Sequence, residues 1–227
     1  MHRVLANCVA VAIALAGSPV AAAIVCPEGA ETRTERDPEL GLPAWSCFVH
    51  GVRNGRYLVP SSDGNSVLLS VSYANGLRSG TYTLRHRNGR LAVTGRYAYG
   101  MRDGLWTFSN QAGKELGSFT LSLGSGDMTD WWDDGRKKAK GRLEAGVRQG
   151  PWLFWRDDGT LREEGSYRKG QRHNLWRFYN RKGEPSGTAV FDHGSGLMIV
   201  WHDNGHRAAY GQMQAGHKSG LWTYWHD

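Results

Sequence analysis

Cysteine is scarce in this chain, with three in 227 residues. No two of them form a C-x-x-C pair, which excludes a zinc ribbon. Past the first two dozen residues there is no apolar run long enough to cross a bilayer as a helix. No block of basic residues is long enough to argue for nucleic acid. A Gly-x-Ser-x-Gly elbow is also missing. Gly124-Ser125-Gly126 and Gly194-Ser195-Gly196 lack its spacing and have no strand-to-helix turn around them. The paired carboxylates, Asp133-Asp134 and Asp157-Asp158, stand at turns, where aspartate has a structural reason to be. The chain is therefore expected to be non-enzymatic, with no cofactor.

What the chain has at its start is an export signal. Arg3 supplies a positive charge, Val9 to Gly17 a short apolar run, and Ala21-Ala22-Ala23 a cleavage site. Residues 1–23 read as a secretory signal peptide. Leu5-Ala6-Asn7-Cys8 precedes the apolar run when a lipidation box should follow it, so lipidation is not expected. Cys8 leaves with the signal. Cys26 and Cys47 remain, an even pair in an oxidising compartment, and a disulfide between them is expected to pin the leader 24–50. Export to a periplasmic or extracellular space follows. The formal charge of +7, or +6 once Arg3 is removed, favours anionic partners.

Glycine and aromatics are abundant, with 31 glycines and 10 tryptophans, and they are spaced by rule. Gly-x₃-Gly-x-aromatic-x₆-Gly gives Gly146, Gly150, Trp152 and Gly159. The same offsets give units starting at 51, 76 and 100, then Gly170 with Trp176, and Gly216 with Gly220 and Trp222. Weaker copies start at 122 and 192, with Met128 and Met198 where the others carry an aromatic. A fixed period of this length signals a stacked repeat array. An offset of 70 residues superimposes long stretches, as expected if a block of three units was duplicated.

Within one unit, Pro151 to Arg156 is aromatic-rich without helical period and reads as a strand. Asp157-Asp158-Gly159 is a tight turn, Thr160 to Arg168 the return strand, and Lys169-Gly170 turns into the next unit. Trp152 and Phe154 share one face; Leu153 and Trp155 share the other. One hairpin alone cannot bury Trp152, but stacked hairpins can.

The stretch Gly150-Pro-Trp152-Leu-Phe-Trp155-Arg-Asp-Asp-Gly159, followed by Glu164-Gly165-Ser-Tyr167-Arg-Lys-Gly170, resembles the MORN-repeat family. It is most similar to the variant found in bacterial antitoxin-like proteins of the YwqK group. The resemblance covers residues 51–227. It implies an all-β fold, an elongated, twisted, single-layer antiparallel sheet of about eight tandem hairpins. It also implies roles in protein binding, scaffolding or contact with anionic lipid.

The nine histidines do not make a metal site in this reading. His202 and His206 flank a turn, and His173, His193 and His217 are taken as solvated turn residues. Trp131, Trp155, Tyr179, Trp201 and Trp225 share one offset and form a candidate binding stripe, unless they pack on neighbouring strands. The expected function is a protein-interaction or scaffold module of the cell envelope. The alternative is envelope glycan or anionic lipid bound by a basic, Trp-rich face.

Overall fold

The computed structural model describes residues 24–202, 204 and 206–226. The expected signal peptide, residues 1–23, lies outside the described residues. All regular structure described is strand. The first eight are β1 (Glu31–Arg36), β2 (Pro43–Val49), β3 (Val52–Pro60), β4 (Val67–Ala74), β5 (Leu77–Arg85), β6 (Leu91–Ala98), β7 (Met101–Ser109) and β8 (Glu115–Leu121). Nine follow: β9 (Gly126–Trp131), β10 (Lys137–Glu144), β11 (Val147–Trp155), β12 (Leu161–Arg168), β13 (Gln171–Tyr179), β14 (Pro185–Asp192), β15 (Ser195–Trp201), β16 (Arg207–Gln214) and β17 (His217–Tyr224).

Each strand pairs antiparallel with its sequence neighbours, in an unbroken run of hairpins, except between β8 and β9. The expected ribbon is thus present as two sheets of 8 and 9 strands, neither closed into a barrel. The division falls at the first Met-bearing unit. Trp131 of β9 lies where the missing ladder would run. Its ring occupies the place of a side chain on Gly117 of β8, with a Cβ there only 2.3 Å from the indole, and stands 5.5 Å from the Phe108 ring.

Two turn types alternate. Between units, a non-glycine residue with φ of 43–51° is followed by a glycine with φ of 76–85°, as at Ala145-Gly146 and Lys169-Gly170. Two successive positive φ values make a type I′ turn, whose twist matches the strands it joins. In the turn within a unit, Gly159 takes positive φ without a positive-φ residue before it, and its N–H donates to Arg156 O at 3.1 Å. The turn geometry corrects the phasing of the two weak units. Their turns are Leu123-Gly124 and His193-Gly194, so they start at Gly124 and Gly194, not at 122 and 192. Their first strands are short, 6 residues in β9 and 7 in β15 against 9 in β7, β11 and β13.

The core lies along one face and runs through both sheets, from Ala44 to Phe191. Trp106, Trp152 and Trp176 are at its centre, each at most 1% exposed. Each indole lies flat over a glycine of the preceding strand: Gly95, Gly141 and Gly165, where a Cβ would sit 2.3 Å from the ring. Trp152 and Trp176 donate their indole N–H to Arg142 O and Ser166 O at 3.2 and 3.1 Å. Tyr167 bridges the two rungs edge-on, 5.9 Å from Trp152 and 5.1 Å from Trp176. Trp152 and Phe154 share this face, stacked at 5.8 Å.

The leader carries structure of its own. β1 and β2 form a first hairpin, and β2 pairs on β3 through Trp45 and Leu58. Cys26 and Cys47 are joined by a disulfide. Asp37 is buried in this hairpin. It accepts hydrogen bonds from the Tyr57 hydroxyl at 2.7 Å and from the Glu39 and Leu40 amides at 3.0 and 2.7 Å.

Candidate anion-binding face

Two residues after each regular inter-unit turn glycine stands a cation: Arg53, Arg78, Arg102, Arg148, Arg172 and Lys218. The pleat puts this position on the same face as the aromatic four residues later. The guanidinium carbons of Arg102, Arg148 and Arg172 lie 4.6, 4.8 and 4.1 Å from the centroids of Trp106, Trp152 and Trp176. Arg78 sits 5.4 Å over Tyr97, and Lys218 Nζ 4.5 Å over Trp222. A cation over an indole face is attracted by the ring quadrupole, by about 0.5–1 kcal/mol where exposed and more where water is excluded. The stacking also holds each long side chain extended along the ring.

Three of these six cations are neutralised by carboxylates. Arg53 is forked on Glu35, and Arg78 reaches Glu39 at 3.4 Å. Arg172 donates to Glu163 at 2.7 Å, a buried carboxylate that also accepts from Arg162 at 2.8 Å. Arg102 and Arg148 have no carboxylate within ion-pair distance among the described residues. Arg148 donates to the Tyr167 hydroxyl at 3.1 Å, a neutral partner that leaves its charge uncompensated.

The two unpaired arginines border a hollow of about 640 Å³. Its floor is Leu121, Met128 and Leu143, and its rim includes the turn glycines Gly100, Gly124 and Gly146. The hollow exists because the short β9 lacks a rung. Gly126 stands where the column would carry arginine, and Met128 where it would carry tryptophan. An apolar floor with cations converging above it suits an anion that carries an apolar or extended body.

The five residues proposed as an aromatic stripe stand in different surroundings. No ring contact links any two of them. Trp131 packs on the core at the division between the sheets. Trp155, Tyr179 and Trp201 are half-buried. The Tyr179 hydroxyl donates to Glu164 at 2.8 Å, and burial together with that bond raises its pKa. Trp225 is 39% exposed, with Arg207 lying 5.4 Å from its ring. Opposite Trp155, Tyr179 and Trp201 the register shifts by one residue, and the extra residue lies on the return strand, at Arg162, Ser186 and Ala208. Of the structural glycines and rings, Gly146, Gly170 and Gly216 stand in inter-unit turns, Gly159 in an intra-unit turn, and Trp152 and Trp176 in the core. Gly150 and Gly220 take positive φ within β11 and β17, and Trp222 is half-buried.

The sequence reading missed the cation column, although its signal is regular: a Gly-x-Arg step at 51, 76, 100, 146 and 170. It also took His173 for a solvated turn residue. His173 is the third residue of β13, with 21% of its side chain exposed.

No protein-family model matches this chain, and no curated protein matches it. No helix among the described residues is long and apolar enough to cross a membrane.

Proposed function

We propose that this chain is an exported, non-enzymatic repeat module that binds an acidic segment of a partner protein in the cell envelope. The carrying observation is the pair of uncompensated arginines, Arg102 and Arg148, over an apolar hollow in a column where Arg53, Arg78 and Arg172 are ion-paired. Burying an unpaired guanidinium would be costly, so these two remain at the surface available to a carboxylate or phosphate. The net charge, +6 once Arg3 leaves with the signal, steers anions toward the chain. The Cys26–Cys47 disulfide agrees with an oxidising compartment. The likeness of the units to MORN repeats agrees with a binding role.

The second reading, an anionic glycan or lipid surface, draws on a hollow of about 580 Å³ beside Trp131 and Trp132, where Lys138 lies 4.8 Å over the Trp132 ring. One experiment separates them. Binding of a glutamate-rich peptide, an acidic polysaccharide and anionic vesicles is measured at low and high salt, with wild type and an Arg102→Gln/Arg148→Gln variant. The protein reading expects salt-sensitive peptide binding that the double variant weakens roughly tenfold or more. Binding of polysaccharide or vesicles alone, unaffected by the variant, transfers the function to the second reading. No binding of any probe removes both.

A further inference from the structure

The second short unit, starting at Gly194, has its own departure from the repeat, and it involves a different chemistry. In four other units a polar side chain near the start of the first strand caps the turn that follows, accepting from the amide 20 residues on. Asp103 accepts from Leu123 N at 3.1 Å, Ser125 from Ala145 N at 2.9 Å, Gln149 from Lys169 N at 2.9 Å and Ser195 from Ala215 N at 3.2 Å. At the matching place before His193 stands His173. Its Nδ1 is shielded from solvent and has no hydrogen-bond partner. The strand also departs at the next residue: Asn174 takes φ of 60°, where the other long strands place glycine.

What His173 faces is a pair of potential ligands. Its Nδ1 lies 3.4 Å from Asp192 Oδ1, and the same oxygen lies 2.6 Å from His193 Nδ1. The two imidazole rings are 5.2 Å apart. One ligand atom from each of the three residues falls within 4.8 Å of the others, the one such group among the described residues. The fold fixes this grouping. Asp192 and His193 are held at the β14–β15 turn, and Asn174, next to His173, pairs with Phe191 across the ladder.

We propose that His173, Asp192 and His193 form a binding site for a late first-row divalent metal ion, with zinc as the reference ion. Two imidazoles and one carboxylate are a donor set that zinc, copper and nickel accept. A tetrahedral zinc ion with bonds of about 2.0–2.2 Å needs its donors about 3.3 Å apart. The present spacings bracket that value, and the side chains that have to adjust, Asp192 and His193, are 81% and 50% exposed. Three protein donors leave the fourth position to water or to a ligand from outside, the arrangement of an open site. The 70-residue offset shows what changed: Asp103, Ser122 and Leu123 occupy the same places in the first short unit and cannot form the triad.

The test uses tag-free purified protein titrated with zinc chloride alone by calorimetry, with cobalt(II) as a spectroscopic reporter. The expected result is one ion per chain in the micromolar range and a visible cobalt spectrum of tetrahedral intensity. His173→Gln is the decisive variant. It installs the residue that Gln149 already supplies at the matching place, so thermal stability stays equal or rises while zinc affinity falls roughly tenfold or more. His193→Ala loses zinc binding in the same way with the turn backbone intact. Binding by His173→Gln equal to wild type overturns the proposal. So does wild type with no stoichiometric zinc, which leaves an aspartate carboxylate between two histidines and no metal site. Loss of binding in His206→Ala but not in His173→Gln also overturns it, because the ion then sits elsewhere.

Discussion

At the residue scale, the fold turns on a ring meeting a glycine. The indole of Trp152 occupies the space a side chain on Gly141 would need, with a would-be Cβ 2.3 Å from Cδ2. The atoms met are a rigid, fully buried ring, so nothing flexible can move aside. Gly141→Ala is expected to destabilise by about 1–3 kcal/mol or more through overpacking. Trp152→Ala is expected to cost about 3–5 kcal/mol through the cavity it leaves. Urea unfolding midpoints check both, and a Gly141→Ala midpoint equal to wild type would show the ring is not pressed on that backbone. Alkaline pH probes the same core. Burial, then the nearby Glu39 charge, lifts the Tyr82 phenol from 10.0 to about 12. Tyr57 is lifted further by burial and by its bond to Asp37. A folded pKa above the unfolded one gives stability that is complete below pH 10 and is lost as pH rises toward 12. Tyrosinate absorbance should therefore show late-titrating phenols among the nine tyrosines, and unfolding should accompany their ionisation. All nine ionising together near pH 10 with the fold intact would contradict this.

At the scale of the element, the hairpin was legible because its causes are local. Asp-Asp-Gly and Lys-Gly carry their turn geometry in the backbone preferences of the residues, and Pro151 to Trp155 carries the strand. Phasing at 122 and 192 was misread for a related reason. Glycine spacing assumes strands of constant length, and β9 and β15 are shorter; only the positive φ of Leu123 and His193 reveals where the turns lie. The first hairpin, β1–β2, follows no repeat rule and depends on its disulfide. Cys26 and Cys47 stand 21 residues apart, a loop whose closure contributes about 3 kcal/mol on the chain-entropy account. Replacing both by serine should lower the stability of this end and speed amide exchange in β1 to β3, where Pro27 and Cys47 pack over Gly55. Exchange in β12 to β14 should not change; a uniform increase along the chain would show that the two sheets unfold as one.

At the scale of the whole molecule, the division between β8 and β9 is the weakest join in the backbone ladder, and Trp131 spans it beside the hydrogen bonds from Asn110 and Gln111 to Asp133. Trp131→Ala should cost about 3–5 kcal/mol at this join. It should also open the segment from β8 to β9 to limited proteolysis before either sheet unfolds. Cleavage there at wild-type rates would mean that other contacts hold the sheets together.

The sequence by itself determined the strands of the repeat units, both kinds of turn, the pairing of Cys26 with Cys47 and the burial of Trp152, because each follows from neighbours along the chain and from a period that repeats them. Tertiary structure alone decided which cations go unpaired and which histidines meet. Arg102 and Arg148 differ from Arg172 only in whether another strand brings a carboxylate such as Glu163 within reach. His173 meets Asp192 and His193 across a ladder. Pairing partners separated by some 20 residues obey register and strand length, and a shortening of two residues in one strand moves them without leaving a mark in local composition.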